Sequence, residues 1–247
     1  MSRYSYEAIA AQIMAHKPDV LLGGGENDFI PKSEIGCYPA SGHRDDGRNL
    51  IEEALAAGYT YVCGLKSFKA LNLEGGGPIL GLFGDEHIQR PYTISLAELT
   101  TAAIIALSQD PDGFFLMVEG GQIDWSSHAN DAENVIYEVL ALDAAVAVGI
   151  EYAAANPNAL VIVTADHETG EMSLSLSANG GWKEDGPFLM PDETPFYINW
   201  TSISHTGAEV ITTAQGPLAE TLTGRYENTH IFDIMRNVEN LRKLRYF

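Results

Sequence analysis

Residues 118–131 read VEGGQIDWSSHAND and bring Glu119, Asp124 and His128 within ten positions of one another. Asp124 and His128 are four apart, so on a helix they share one face and can reach the same ion. A second acid and imidazole pair, Asp166 and His167, follows the run LVIVTA, and His205 lies in the small-residue loop SISHTGAEV, placed to supply a third ligand to one ion. The set consists of imidazoles and carboxylates without a thiolate. Zinc held by three such ligands keeps a position open for water or substrate, whereas closed structural sites usually recruit cysteine. The chemistry indicated is metal-assisted catalysis.

Plainer readings compete at each position. Asp124 can cap a helix, with Ser126 and Ser127 as rivals for that role, and Glu119 can merely solvate a strand end. D-x-x-x-H alone is a weak signal, and in a plain acidic α/β domain the carboxylates are solvated and hold no stoichiometric zinc. Two clusters at two strand ends, with a histidine in a third loop, favour the metal. His16, His43, His87 and His230 each stand alone and are read as ordinary surface or core residues.

The elements that must position these groups follow from hydrophobic patterning. FFLMV at 114–118 ends at Glu119 and LVIVTA at 160–165 ends at Asp166. Both runs are continuously apolar, the mark of strands buried on both faces in a parallel sheet, and open α/β sheets bind ligands at the carboxyl ends of their strands. Neighbours in an extended strand point to opposite faces, so Asp166 and His167 can cooperate only where the strand has already turned into a loop. Helical spacing covers 4–16, NLIEEALAAG, SLAELTTAAIIALSQ, 130–155 and 229–243, alternating with the apolar runs DVLL, TYVCG and ILGLF, and AEVITTA is a late candidate strand. The triple Gly23-Gly24-Gly25 turns the chain after DVLL, and Asn156-Pro157-Asn158 stops the long helix. The expected fold is α/β, a mostly parallel sheet sandwiched by helices, in a single domain over 1–247 with a loop-rich insertion near 171–200.

Lys and Arg total 14 against 34 Asp and Glu, a net charge of -20 that repels nucleic acid and anionic lipid. Neither is expected as a partner. Cys37 and Cys63 fit no zinc or redox spacing and are read as structural. No apolar stretch reaches the ~20 residues that span a bilayer, and MSRYSYEAIA lacks a signal peptide's basic start and apolar run, so the sequence as written reads as soluble without an export signal.

With these residues in hand, the chain resembles the alkaline phosphatases. The likeness rests on VEGGQIDWSSHAND, VTADHETG at 163–170 and HTG at 205–207, and RYSYEAIA and the LLGGG loop extend it along the chain. The resemblance implies that Asp124, His128 and His205 hold one zinc, that Asp166 and His167 are two ligands of a second, and that Glu119 is a ligand of a neighbouring magnesium. It also implies that Arg3 grips the substrate phosphate. The family's D-S-A nucleophile motif, the aspartate shared by the second zinc and magnesium, and the D-x-T pair for magnesium, all carried by the first part of the family's chain, have no counterpart ahead of Glu119 in this sequence. The likeness is therefore to the carboxyl-terminal half to two-thirds of the family fold, incomplete at the amino-terminal side, with no catalytic serine among its own residues and with the second zinc and magnesium sites incomplete.

The implied activity is hydrolysis of phosphate monoesters, impaired or absent in this chain alone; a non-catalytic zinc- or phosphate-binding remnant is the alternative. The implied partners are the missing amino-terminal segment as a separate chain and a second copy in a homodimer. The family is typically periplasmic or extracellular. Related metal-dependent phosphomutases and phosphodiesterases share this style of site, but TADHETG and HTG favour the phosphomonoesterases.

Overall fold

In the first half of the chain, apolar runs alternate with amphipathic helices, and in the computed structural model, which describes residues 2–244, this alternation builds a parallel sheet. The chain divides into two compact units, residues 1–117 and 118–247. In the first, α1 (Tyr6–Ala15) leads to β1 (Val20–Gly23), a 3-10 turn at Glu26–Asp28 and α2 (Leu50–Ala56). These are followed by β2 (Thr60–Val62), α3 (Leu65–Lys69), β3 (Ile79–Leu82) and α4 (Leu96–Leu107). The sheet order is β1-β3-β2, all parallel, with Val20 and Thr60 both in register with Ile79.

Central strands of parallel sheets are covered on both faces, and all four residues of β3 are buried. Successive strand residues point to opposite faces. Leu21 and Tyr61 accordingly pack with Ala10, Leu50 and Ala54, while Leu22 and Val62 pack with Phe68, Leu99 and Ala102. Helices α1 and α2 thus cover one face, and α3 and α4 the other. The Gly23-Gly24-Gly25 turn has a steric reason: a Cβ on Gly24 would lie 2.6 Å from the His87 Cα, and Gly25 has φ +90°.

Beneath that turn lies a buried carboxylate that the sequence reading did not single out. Glu26 is fully buried, and it accepts hydrogen bonds from the Tyr61 hydroxyl at 2.5 Å and the backbone N–H groups of Cys37 and Tyr38 at 3.0 Å each. Cys37 and Cys63, read as structural, are joined in a disulfide, and the Tyr38 hydroxyl donates to the Cys63 carbonyl at 2.6 Å. One carboxylate therefore anchors the 36–38 loop while the disulfide ties that loop to the end of β2. Gly36 suits this approach, since a Cβ would lie 2.4 Å from the Glu26 carboxyl carbon and would force that carboxylate to shift.

The Tyr61 phenol is pushed well above the usual tyrosine range, first by burial and then by its hydrogen bond to Glu26 and that carboxylate's charge. A raised phenol keeps its proton in the folded state after the unfolded chain has lost it. Its contribution to stability is thus complete below about pH 10, the ordinary tyrosine value, and is lost as pH rises above it. The first unit is expected to lose stability progressively above about pH 10, with a shallower slope in Tyr61→Phe. Denaturant titrations across that range check it; equal slopes for the two proteins would contradict it.

The second unit holds α5 (Gln122–His128), α6 (Ala132–Ala155), β4 (Val161–Val163), β5 (Glu168–Thr169), β6 (Ser173–Ser175), β7 (Lys183–Leu189) and β8 (Pro195–Trp200). After these come β9 (His205–Thr206), β10 (Thr213–Gln215), a 3-10 turn at Ala219–Thr221 and α7 (Thr229–Leu244). The Asp131 side chain caps α6 by accepting from the Asn134 N–H, and Asn156 closes it. Residues 171–200, expected as a loop-rich insertion, contain the antiparallel sheet β6-β8-β7. Ile198 and Trp200 of β8 pack on Ala132 and Val135 of α6, and the Trp200 indole N–H donates to Asp185 at 3.0 Å.

Two strand expectations need correction. Residues 114–118 form no strand, and Phe115 and Met117 are exposed; an apolar run favours burial, but only a ladder partner makes it a strand. β4 forms, yet its partner is β10 in antiparallel register and its residues are half-buried. AEVITTA contributes only its last residues, to β10. Among the described residues no helix is long and apolar enough to cross a membrane.

Candidate metal centre

Three segments of the second unit meet at the site. Helix α5 presents Asp124 and His128 from successive turns, and the His128 Nε2 lies 3.4 Å from the Asp124 Oδ2. The β5–β9 ladder sets Thr169 opposite His205, which carries the His205 imidazole to α5. Its Nε2 is 3.4 Å from the Asp124 Oδ1 and 3.0 Å from the His128 Nε2. Asp124, His128 and His205 together offer one ligand atom each within 4.8 Å of one another.

The loop between β4 and β5 supplies the neighbouring pair. β4 ends at Val163, so Asp166 and His167 lie beyond the strand and turn toward each other, with the His167 Nε2 at 3.2 Å from the Asp166 Oδ2. The Asp166 side chain is 88% exposed, open to further ligands from solvent or a partner. The His167 ring stacks on His205 at 3.5 Å between centroids. Glu119 is exposed, three residues ahead of α5, and is not a member of the three-residue group. Arg3 belongs to the first unit; it is exposed, with its guanidinium 5.7 Å from the centroid of the Tyr4 ring.

Several supports had no signal in the motif spacing. The His128 Nδ1 lies 2.5 Å from the Ile203 carbonyl. A carbonyl only accepts, so the His128 Nδ1–H donates to it and Nε2 is the nitrogen that faces Asp124 and His205. Metal-ligating histidines are commonly fixed by such a second hydrogen bond. Asn130, buried with φ +50°, ends α5 and donates to the carbonyls of Ser127 at 3.0 Å and Ser202 at 2.8 Å, tying the helix to the segment that carries His205. Gly170, at φ +91°, accepts from the N–H groups of Thr201 and Ser202, and a Cβ there would lie 2.7 Å from the Trp200 ring. Asn and Gly are common turn residues, and only the 202–205 segment packed beside them shows what they hold.

A convergent imidazole, imidazole and carboxylate set, with one imidazole tautomer fixed from behind, fits a zinc ion held by three protein ligands with a further position open. The fold and this cluster together describe an α/β protein with a candidate metal centre. The sequence profile of the alkaline phosphatases matches residues 2–187, and the chain belongs to that family. It is 37% identical over 188 residues to alkaline phosphatase 4 of Bacillus subtilis, covering 74% of this chain and 37% of the relative. It is 33% identical to the streptomycin-6-phosphate phosphatase of Streptomyces griseus, covering 95% of this chain and 59% of the relative. Among solved structures, the alkaline phosphatase of the Antarctic bacterium TAB5 superposes with a TM-score of 0.75 at 30% identity, covering 95% of this chain and 64% of that one. A mutant of that enzyme, 28% identical with a TM-score of 0.76, contains bound magnesium. The chain therefore spans between about a third and two thirds of the length of these relatives.

Proposed function

We propose that this chain supplies the zinc-holding part of a phosphate monoesterase of the alkaline phosphatase type, its two units belonging to one domain of that fold. Asp124, His128 and His205 hold one zinc, Asp166 and His167 contribute to a second, and Glu119 contributes to a magnesium. Arg3 offers a bidentate fork to the substrate phosphate. The convergence of Asp124, His128 and His205 carries the reading. Bound zinc supplies Lewis acidity that draws charge from phosphoryl oxygens. The protein's own groups orient it: the Ile203 carbonyl turns the His128 Nε2 inward, and the β5–β9 ladder delivers His205.

The sequence contains no D-S-A motif, so the family's covalent route through a serine has no nucleophile among these residues. The purified chain, loaded with zinc and magnesium, is expected to hydrolyse p-nitrophenyl phosphate near background at alkaline pH. Turnover is expected to return on mixing with the amino-terminal segment of a family member that carries D-S-A. Steady-state assays with and without that segment decide. Full turnover by the chain alone, with phosphoserine trapped at an internal serine, would contradict the proposal. Zinc held with no turnover in the mixture would indicate a binding remnant.

A further inference from the structure

Resting on that reading, we propose that Asn130 is a positioning residue that holds the two ligands of α5 at the spacing His205 must meet. His205 comes from β9, which has two residues and pairs with the two of β5. A two-stranded ladder is marginal in water even when it is longer. The 201–204 segment ahead of β9 is tied to β5 through Gly170, which accepts from the Thr201 and Ser202 N–H groups and donates to the Ser204 carbonyl at 3.1 Å. Those bonds fix the segment to its own hairpin and leave its distance from α5 open. The Asn130 amide sets that distance by donating to the Ser202 carbonyl at 2.8 Å. Two other links across the same gap, from Thr169 to Asp124 at 2.6 Å and from His128 to Ile203 at 2.5 Å, end on the proposed ligands themselves. Asn130 is 3% exposed and its partners are backbone carbonyls, so its hydrogen bonds stay in place when a cation arrives.

The residue type meets two demands at once. Asn130 follows the last turn of α5 at φ +50°, a conformation that glycine and asparagine adopt most readily. Glycine meets that demand but has no side chain. Both amide contacts, to the Ser127 carbonyl at 3.0 Å and to Ser202, are to acceptors, so the group there must carry two donors. Aspartate has nearly the same shape and would set acceptor against acceptor. If Asn130 merely ended the helix, glycine would serve as well, and this separates a cap from a positioning residue.

The test uses the full 247-residue chain and the variants Asn130→Gly and Asn130→Asp. In the metal-free protein the His128 and His205 ring centroids are 4.8 Å apart, close enough for a proton nuclear Overhauser contact. That contact is expected in wild type and is expected to weaken in both variants. Competition with a chromophoric chelator is expected to show zinc affinity at the first site about 10- to 100-fold lower in Asn130→Gly, the usual cost of losing an outer partner, at wild-type helix content. Cobalt(II) in place of zinc is expected to change its visible absorption in that variant, since an ion that loses His205 changes geometry. Absence of the ring contact in wild type would overturn the inference. So would a wild-type ring contact, wild-type zinc affinity or unchanged cobalt bands in a folded Asn130→Gly. If Asn130→Gly does not fold, the ring contact in Asn130→Asp decides in the same way. Failure of wild type to bind zinc, with the ring contact behaving as expected, would count against the proposed function alone.

Discussion

His205→Ala is expected to lower zinc affinity by more than the ~10- to 100-fold that outer-shell changes cost, because it removes one of the three proposed direct ligands. Its Nε2 is 3.0 Å from the His128 Nε2 and 3.4 Å from the Asp124 Oδ1, within reach of an ion that those two side chains would hold. The residue is exposed and packs in no hydrophobic cluster, so the fold should survive its loss. Chelator competition measures the affinity, and far-ultraviolet circular dichroism checks the fold. Zinc binding equal to wild type in a folded His205→Ala would remove this residue from the site.

The largest expected effect on stability lies in the other unit. Glu26→Ala leaves the N–H groups of Cys37 and Tyr38 and the Tyr61 hydroxyl without their acceptor and empties the space of a fully buried side chain. A hydrogen bond to a charged group contributes about 1.5–3 kcal/mol, and removing a buried carboxylate offsets part of the loss of three, so the substitution should destabilise the first unit by roughly 3–5 kcal/mol. The disulfide keeps the 36–38 loop tethered near β2, which limits the loss to packing and hydrogen bonding. All three tryptophans lie in the second unit, so the readout is amide hydrogen exchange in β3. Unchanged protection there would show that Glu26 does not anchor the loop.

The residue types that carry chemistry were legible because helical and strand geometry constrain them locally. Asp124 and His128 needed only a helix, and Asp166 and His167 only a strand that ended early, and both conditions hold. The Glu26 anchor, the Cys37–Cys63 bridge and the Thr169 contact with Asp124 were not legible. They join positions 11, 26 and 45 residues apart, separations set by tertiary register rather than by any local period. FFLMV shows the converse: a strong local signal without a ladder to complete it leaves Phe115 and Met117 exposed. β4 failed differently, for its apolar pattern located the strand but could not reveal that β10 pairs with it antiparallel.

The central claim is that three side chains of this chain hold zinc without help from another polypeptide. Metal analysis of the purified chain after zinc loading and exhaustive dialysis tests it most directly. The account predicts about one zinc retained tightly per chain, with a second lost readily because Asp166 and His167 alone under-coordinate it. No retained zinc, or two zincs retained equally, would contradict it.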